Sequence, residues 1–177
     1  DGQLFKVVIV DDGSEERLPD FSDNFSGLQI IQVWHQKNMG LPTALNTGLK
    51  NSASRYFVRI DSDDYVHSKF LEVLLLAFEN RPNTMAACVD YKRVDEFENV
   101  LSYHSAEADP IGCGIMFRRH VLAKIGFYDE KMILAEDLDF LLRFKKEFVV
   151  SYIGICLYRY TKRAKSLSDD REKHELY

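Results

Sequence analysis

The chemistry of this chain is concentrated in Tyr56-Phe57-Val58-Arg59-Ile60-Asp61-Ser62-Asp63-Asp64, where three carboxylates follow a run rich in β-branched and aromatic residues. Such a run has the composition of a buried strand, and the end of a buried strand is a costly place for charge. Asp61 and Asp63 lie two apart, so in extended backbone their side chains leave on one side and converge on one object. Like charges so close repel unless a cation sits between them. Hard carboxylate oxygens suit magnesium or manganese, with phosphate oxygens and water completing the shell. The implied ligand is a metal-bound phosphate compound. The competing reading is a polar turn after a strand, because Asp and Ser are common turn formers.

Two further groups carry acids. Asp11-Asp12-Gly13-Ser14 ends an apolar run, and its carboxylates can accept hydrogen bonds from a base N–H or ribose hydroxyls. Ligands of open α/β sheets bind outside the carboxyl ends of the strands, where this turn would sit; a turn that only caps the next helix is the alternative. Glu136, Asp137 and Asp139 open an amphipathic stretch. Acids there complement a helix dipole, or one of them faces the metal site as a general base.

The elements that must position these acids can be read in order. Leu4 to Val10 and Leu28 to Trp34 are strands, and Leu41 to about Ser52 is a helix with Pro42 in its first turn. Lys37 and that helix start could favour an anion, or Lys37 is simply solvated. Trp34 and His35 receive no role. Tyr56 to Ile60 is a strand, Ser68 to Asn80 a helix with core residues at helical spacing, and Met85 to Tyr91 a strand. Lys92 to Asp109 is polar and irregular, as a mobile loop would be. Ile111 to Phe117 returns to apolar, with Gly112 and Gly114 allowing close approach to the backbone. Arg119 to Ile125 forms a short helix stopped by Gly126, the 135–143 stretch another helix, and Phe148 to Tyr152 with Ile155 to Tyr160 a strand pair. Strands alternating with helices imply an α/β fold with a mainly parallel sheet and a small antiparallel part.

At 177 residues, 46% hydrophobic and 29% charged, the chain is one domain with a proper core. A net charge of -5 argues against broad nucleic-acid binding. Val73 to Phe78, the longest apolar run, is too short to span a bilayer. Cys88, Cys113 and Cys156 are odd in number and widely spaced, so buried free thiols are expected; Cys113 lacks a base motif that would make it a nucleophile. With no signal segment visible, these thiols place the chain in the cytoplasm. Lys162, Arg163 and Lys165 form a solvated basic run.

In order, Val10-Asp11-Asp12-Gly13-Ser14, Asn38-Met39-Gly40 through Ala44-x-Asn46-x-Gly48, Asp61-Ser62-Asp63-Asp64, Met116-Phe117-Arg118-Arg119, Ile125-Gly126-Phe127-Tyr128-Asp129-Glu130, Glu136-Asp137-x-Asp139, and Tyr158-Arg159-Tyr160 to Ser166-Leu167-Ser168 resemble the family 2 glycosyltransferases of GT-A fold. The resemblance implies an inverting transfer of a sugar from a nucleotide-diphosphate donor to an acceptor hydroxyl. It implies that Asp12 contacts the nucleoside, that Asp61 and Asp63 form the Asp-x-Asp pair holding a metal-bound diphosphate, and that Asp137 is the catalytic base. Asp63 is the direct ligand of Mn2+ or Mg2+, or Asp64 takes that place in a shifted register. The acceptor is a carbohydrate or a lipid-linked sugar, with peripheral membrane attachment where such lipids reside; acceptor choice falls to 92–109 and the tail.

Two departures stand out. Family members carry a strand and helix before the Asp-Asp-Gly-Ser turn, and this chain opens at Asp1 without Met, so an N-terminally incomplete GT-A domain is expected. Near the tail, Arg163 stands where the family often has His, and still offers a cation for diphosphate. Rival readings are a sugar nucleotidyltransferase, which would carry a Gly-rich phosphate loop, and a nucleotide-binding module without chemistry.

Overall fold

A computed structural model describes residues 5–21, 27–132 and 134–163. Its strands and helices run β1 (Lys6–Asp11), β2 (Gln29–Trp34), α1 (Leu41–Lys50), β3 (Tyr56–Val58), β4 (Tyr65–Val66), α2 (Phe70–Asn80), β5 (Ala86–Val94), β6 (Val100–His104), β7 (Ile115–Arg118), a 3-10 turn (Arg119–Val121), α3 (Leu122–Ile125), α4 (Glu136–Lys145) and β8 (Val150–Thr161). The expected tail from 164 onward and the chain start at Asp1 lie outside the described residues.

β1 and β2 pair in parallel as one small sheet. The larger sheet has the order β3-β7-β5-β8-β4, with β6 also on β5. β5 is its centre, because Ala86, Cys88 and Ala87, Val89, Tyr91 alternate between two apolar faces, as the two-residue period of a strand requires. One face packs on Leu49 of α1, on α3, and on Phe140, Leu141 and Phe144 of α4. The other receives Phe70, Leu74 and Phe78, spaced by four along α2. Each is almost fully buried, a gain of about 1.5–3 kcal/mol per side chain over exposure. α1 also joins the small sheet, where Gly48 lies against Val10.

The α/β class holds, and the sheet is mixed. β1·β2 and β5·β8 are parallel; β3·β7, β5·β7, β5·β6 and β4·β8 are antiparallel. The segment expected to be an irregular loop over 92–109 is largely ordered. β5 continues through Val94, Asp95 ties a turn by accepting the Phe97 and Asn99 N–H groups, and β6 returns antiparallel. The expected pair Phe148 to Tyr152 and Ile155 to Tyr160 is one strand, β8. Its register against β5 steps from Val89↔Ile153 to Asp90↔Cys156, so Gly154 and Ile155 form a bulge rather than a turn. Cys156 just beyond it is exposed, whereas Cys88 and Cys113 are buried as expected. Burial pushes the Cys88 thiol up to about 12.

Candidate active site

β3 ends at Val58, two residues earlier than its composition suggests, so Asp61 and Asp63 do not share one strand face. They occupy a tight turn closed by the Asp64 N–H on the Asp61 carbonyl at 3.1 Å. The side chains diverge. Asp61 is clasped by Arg59, through Nε at 2.6 Å and NH2 at 3.0 Å. Asp63 pairs with the exposed Arg163 at 3.2 Å. Asp64 turns inward to the Tyr158 hydroxyl at 2.6 Å and the Thr161 N–H at 2.8 Å, with the Cys113 thiol 3.6 Å away.

Burial raises the Asp64 carboxyl to about 6 against the opposing hydrogen bonds of Tyr158 and Thr161, and the Asp61 and Asp63 charges add to the rise. Burial likewise lifts the Tyr158 hydroxyl and the Cys113 thiol above their ordinary ranges, so both stay protonated. Burial works against the Arg59 charge, but the Asp61 charge and hydrogen bond prevail and raise it.

Arg59 also reaches across to α4, where NH1 meets Glu136 Oε1 at 3.0 Å. Of the acids that open α4, Glu136 is thus held by Arg59, and Asp139 by Arg143 at 2.7 and 2.9 Å. Asp137 takes the Leu138 N–H at 2.7 Å and lies against Gly112. A Cβ at Gly112 would come within 2.3 Å of the Asp137 Cβ and 2.4 Å of its Oδ2, so only glycine admits the acid there. Gly114 N–H bonds the Arg59 carbonyl at 2.9 Å, tying this loop to the end of β3. Asn46 of α1 completes the frame, exchanging hydrogen bonds with the Tyr128 backbone at 2.9 and 3.0 Å while Tyr128 stacks on Phe140 of α4.

The Asp11-Asp12 turn is built separately. Asp11 is buried and accepts the Ser14 N–H at 2.9 Å; Ser14's backbone and hydroxyl hold its carboxyl below the usual range. Asp12 receives His35 Nδ1 at 2.6 Å, the Met39 N–H at 2.9 Å and the Gly40 N–H at 2.8 Å. His35 Nε2 in turn lies 2.9 Å from the Thr47 hydroxyl. His35, to which the sequence assigned nothing, therefore locks Asp12 to α1. Gly13, at φ 79°, has the Lys37–Asn38 backbone where a side chain would be. An open cleft of about 460 Å³ beside this turn is lined by Ser14, Arg17, Trp34 and Gln36 among others, with Arg17 over the Trp34 ring at 4.5 Å.

Among the described residues, Asp61, Asp64 and Cys113 have ligand atoms within 4.8 Å of one another. The carboxylate oxygens fit a hard divalent ion, whereas a thiol kept protonated by burial does not. Asp63, the expected direct ligand, is not in that group, and the shifted register with Asp64 is the one the geometry gathers.

The mixed sheet covered by helices, with acids on its strand-end turn and on the helix facing that turn, matches the GT-A fold of solved glycosyltransferase structures. The chain belongs to glycosyl transferase family 2, whose sequence profile matches residues 1–139. An uncharacterized glycosyltransferase of Rickettsia bellii is 35% identical over 52% of the chain, and the minor teichoic acid biosynthesis protein GgaA of Bacillus subtilis 27% identical over 93%. The crystal structure of S. aureus TarS 1-349 in complex with UDP covers 89% of the chain with a TM-score of 0.71 at 21% identity. The chain spans 13% of the Rickettsia protein, 42% of GgaA and 51% of the TarS chain.

Proposed function

We propose that this domain transfers a sugar, with inversion, from a nucleotide-diphosphate donor to an acceptor hydroxyl. The observation that carries the reading is Arg59: by holding Asp61 and Glu136 together it fixes the acidic turn to the helix start that bears Asp137. Asp12, oriented by His35 and two backbone N–H groups, keeps acceptor capacity for a nucleoside donor group. Asp61 and Asp63 flank the diphosphate site, and Asp63 is the direct ligand of Mn2+ or Mg2+. Among the described residues its side chain pairs with exposed Arg163, a contact worth about 0–1 kcal/mol, whereas both Asp64 oxygens already anchor β8. When bound, the ion supplies charge to offset the departing diphosphate. Arg163, once released from Asp63, would offer a cation to that diphosphate as well. Asp137 takes the acceptor proton as the acceptor oxygen attacks the anomeric carbon, and one base with in-line attack gives inversion.

The acceptor is a carbohydrate or lipid-linked sugar. Cytoplasmic placement with peripheral membrane contact is part of the same proposal; no helix among the described residues is long and apolar enough to cross a membrane.

Calorimetry with a panel of nucleoside diphosphates, with and without Mn2+, tests the site. UDP heads the panel because TarS crystallises with it. Mn2+-dependent binding of one member supports a donor site, and absence of binding by all of them removes it. Incubation with the matching sugar nucleotide then separates the classes: released nucleoside diphosphate marks a transferase, pyrophosphate a nucleotidyltransferase, and no turnover a binding module.

A further inference from the structure

The β5–β6 hairpin and the turn after it hold an ordered polar cluster that the donor chemistry leaves unused. Asp109 Oδ2 receives the Tyr91 hydroxyl at 2.8 Å, His104 Nδ1 at 2.9 Å and Arg93 NH2 at 3.4 Å. Among the described residues nothing hydrogen-bonds its Oδ1, and the side chain is 48% exposed. Two of these donors, His104 and Tyr91, are held in place. His104 stacks flat on Tyr91, with ring centroids 4.9 Å apart, and its Nε2 lies 2.6 Å from the Ser102 hydroxyl. Burial, together with the hydrogen bond to Asp109, raises the Tyr91 hydroxyl above its ordinary range, so it remains a donor. The backbone is fixed too, by Asp109 N–H on the Ser105 carbonyl at 2.9 Å and Ala106 N–H on Asp90 at 2.9 Å.

Three donors on one carboxylate oxygen, with the other turned to solvent, make a pre-oriented acceptor. Such an oxygen takes short, charge-assisted bonds from hydroxyl donors, and little side-chain freedom is lost when a ligand arrives. An anionic ligand would be repelled. The location suits an acceptor. Asp109 precedes Gly112 by three residues, so their Cα atoms are at most about 11 Å apart, and Gly112 lies against Asp137. On the sheet, Tyr91 of β5 is level with Tyr158 of β8, and Tyr158 donates to Asp64; neighbouring tyrosines therefore hold Asp109 and Asp64 on one face.

We propose that Asp109 Oδ1 binds a hydroxyl of a neutral sugar acceptor, which makes the Asp109, His104 and Tyr91 cluster the acceptor subsite; the assignment rests on the transferase reading above. Acceptor selection then belongs to the 92–109 segment through an ordered hairpin rather than a loop.

The test is titration of a panel of neutral methyl glycosides, followed by saturation-transfer NMR, into wild type and Asp109→Asn, each with UDP and Mn2+ binding measured in parallel. The expected result is one or more glycosides binding wild type and at least tenfold more weakly to Asp109→Asn, with UDP affinity unchanged within twofold. Equal glycoside affinity in both proteins overturns the subsite. UDP binding to wild type without any glycoside binding also overturns it and leaves the donor reading standing; loss of both in wild type overturns both. If Asp109→Asn no longer binds UDP, Tyr91→Phe decides, since it removes one donor to Oδ2 and keeps the ring: tenfold weaker glycoside binding with normal UDP affinity supports the proposal, and unchanged glycoside binding overturns it.

Discussion

Arg59 and Glu136 meet at 3.0 Å with their side chains 13% and 9% exposed, and the same guanidinium clasps Asp61 from the other side. A cation withdrawn from water between two acids is stable only as a set, because each member compensates the desolvation of the others. The acidic turn and the start of α4 consequently form one unit.

Replacing Arg59 by Met should therefore destabilise the fold strongly. Removing one partner of a buried ionic set typically costs about 3–5 kcal/mol, and here two carboxylates lose their cation. Glu136→Gln keeps an oxygen for Arg59 and should cost less than half as much. Urea unfolding of the two variants measures this; an Arg59→Met midpoint equal to wild type would show that water, not Arg59, satisfies these acids.

Gly112→Ala isolates the seat of Asp137. The added methyl overlaps Asp137 Cβ and Oδ2 while the position carries no unusual backbone torsion, so the effect is displacement of the acid alone. Transfer should fall at least tenfold with nucleotide affinity little changed. A fully active Gly112→Ala protein would place Asp137 elsewhere during turnover.

Asp64 gives the pH dependence. Its carboxyl titrates near 6 in the folded protein against an ordinary 3.8, because burial disfavours the charge. Ionisation thus costs the folded state: the cost is absent below the ordinary value, grows through the interval, and is complete above about 6. Metal-free wild type should lose stability as pH rises through that window, and Asp64→Asn should flatten the slope. Urea midpoints on either side of pH 6 compare the two; parallel slopes would mean Asp64 is ionised throughout.

Metal binding separates the neighbouring acids. Asp63→Asn should abolish Mn2+-dependent nucleotide affinity, whereas Asp64→Asn, whose oxygen can still accept the Thr161 N–H while its amide N–H donates to the Tyr158 hydroxyl oxygen, should retain most of it. The reverse result would make Asp64, already grouped with Asp61 and Cys113, the direct ligand.

What the sequence made legible follows from which signals burial writes into it. The helices α1, α2 and α4 and the double-faced β5 were readable because their apolar spacing is what packs them. β6 was not: its alternate residues Ser102 and His104 serve the polar cluster around Asp109, so no apolar alternation marks the strand. The strand pair expected over Phe148 to Tyr152 and Ile155 to Tyr160 is one strand because a glycine such as Gly154 serves a bulge as readily as a turn. The turn acids were found as a group, but their separate fates depend on Arg59, Arg163 and Tyr158, partners contributed from distant or unmotivated positions. His35 carries no local motif at all, and its bond to Asp12 exists only once β1 and β2 pair.

Asp137→Asn bears most directly on the proposed reaction. Asp137 follows the Arg59-held Glu136 at the start of α4, and its carboxylate packs against Gly112 with no room for a side chain between them. The amide keeps the shape and the hydrogen bond from Leu138 but cannot take a proton. General-base assistance is worth about 10²- to 10⁴-fold, so turnover should fall by that factor while Mn2+-dependent nucleotide binding and the unfolding midpoint stay near wild type. The ratio of kcat to nucleotide affinity distinguishes the roles: a variant that loses both has lost structure, and one that keeps kcat returns the base to another residue.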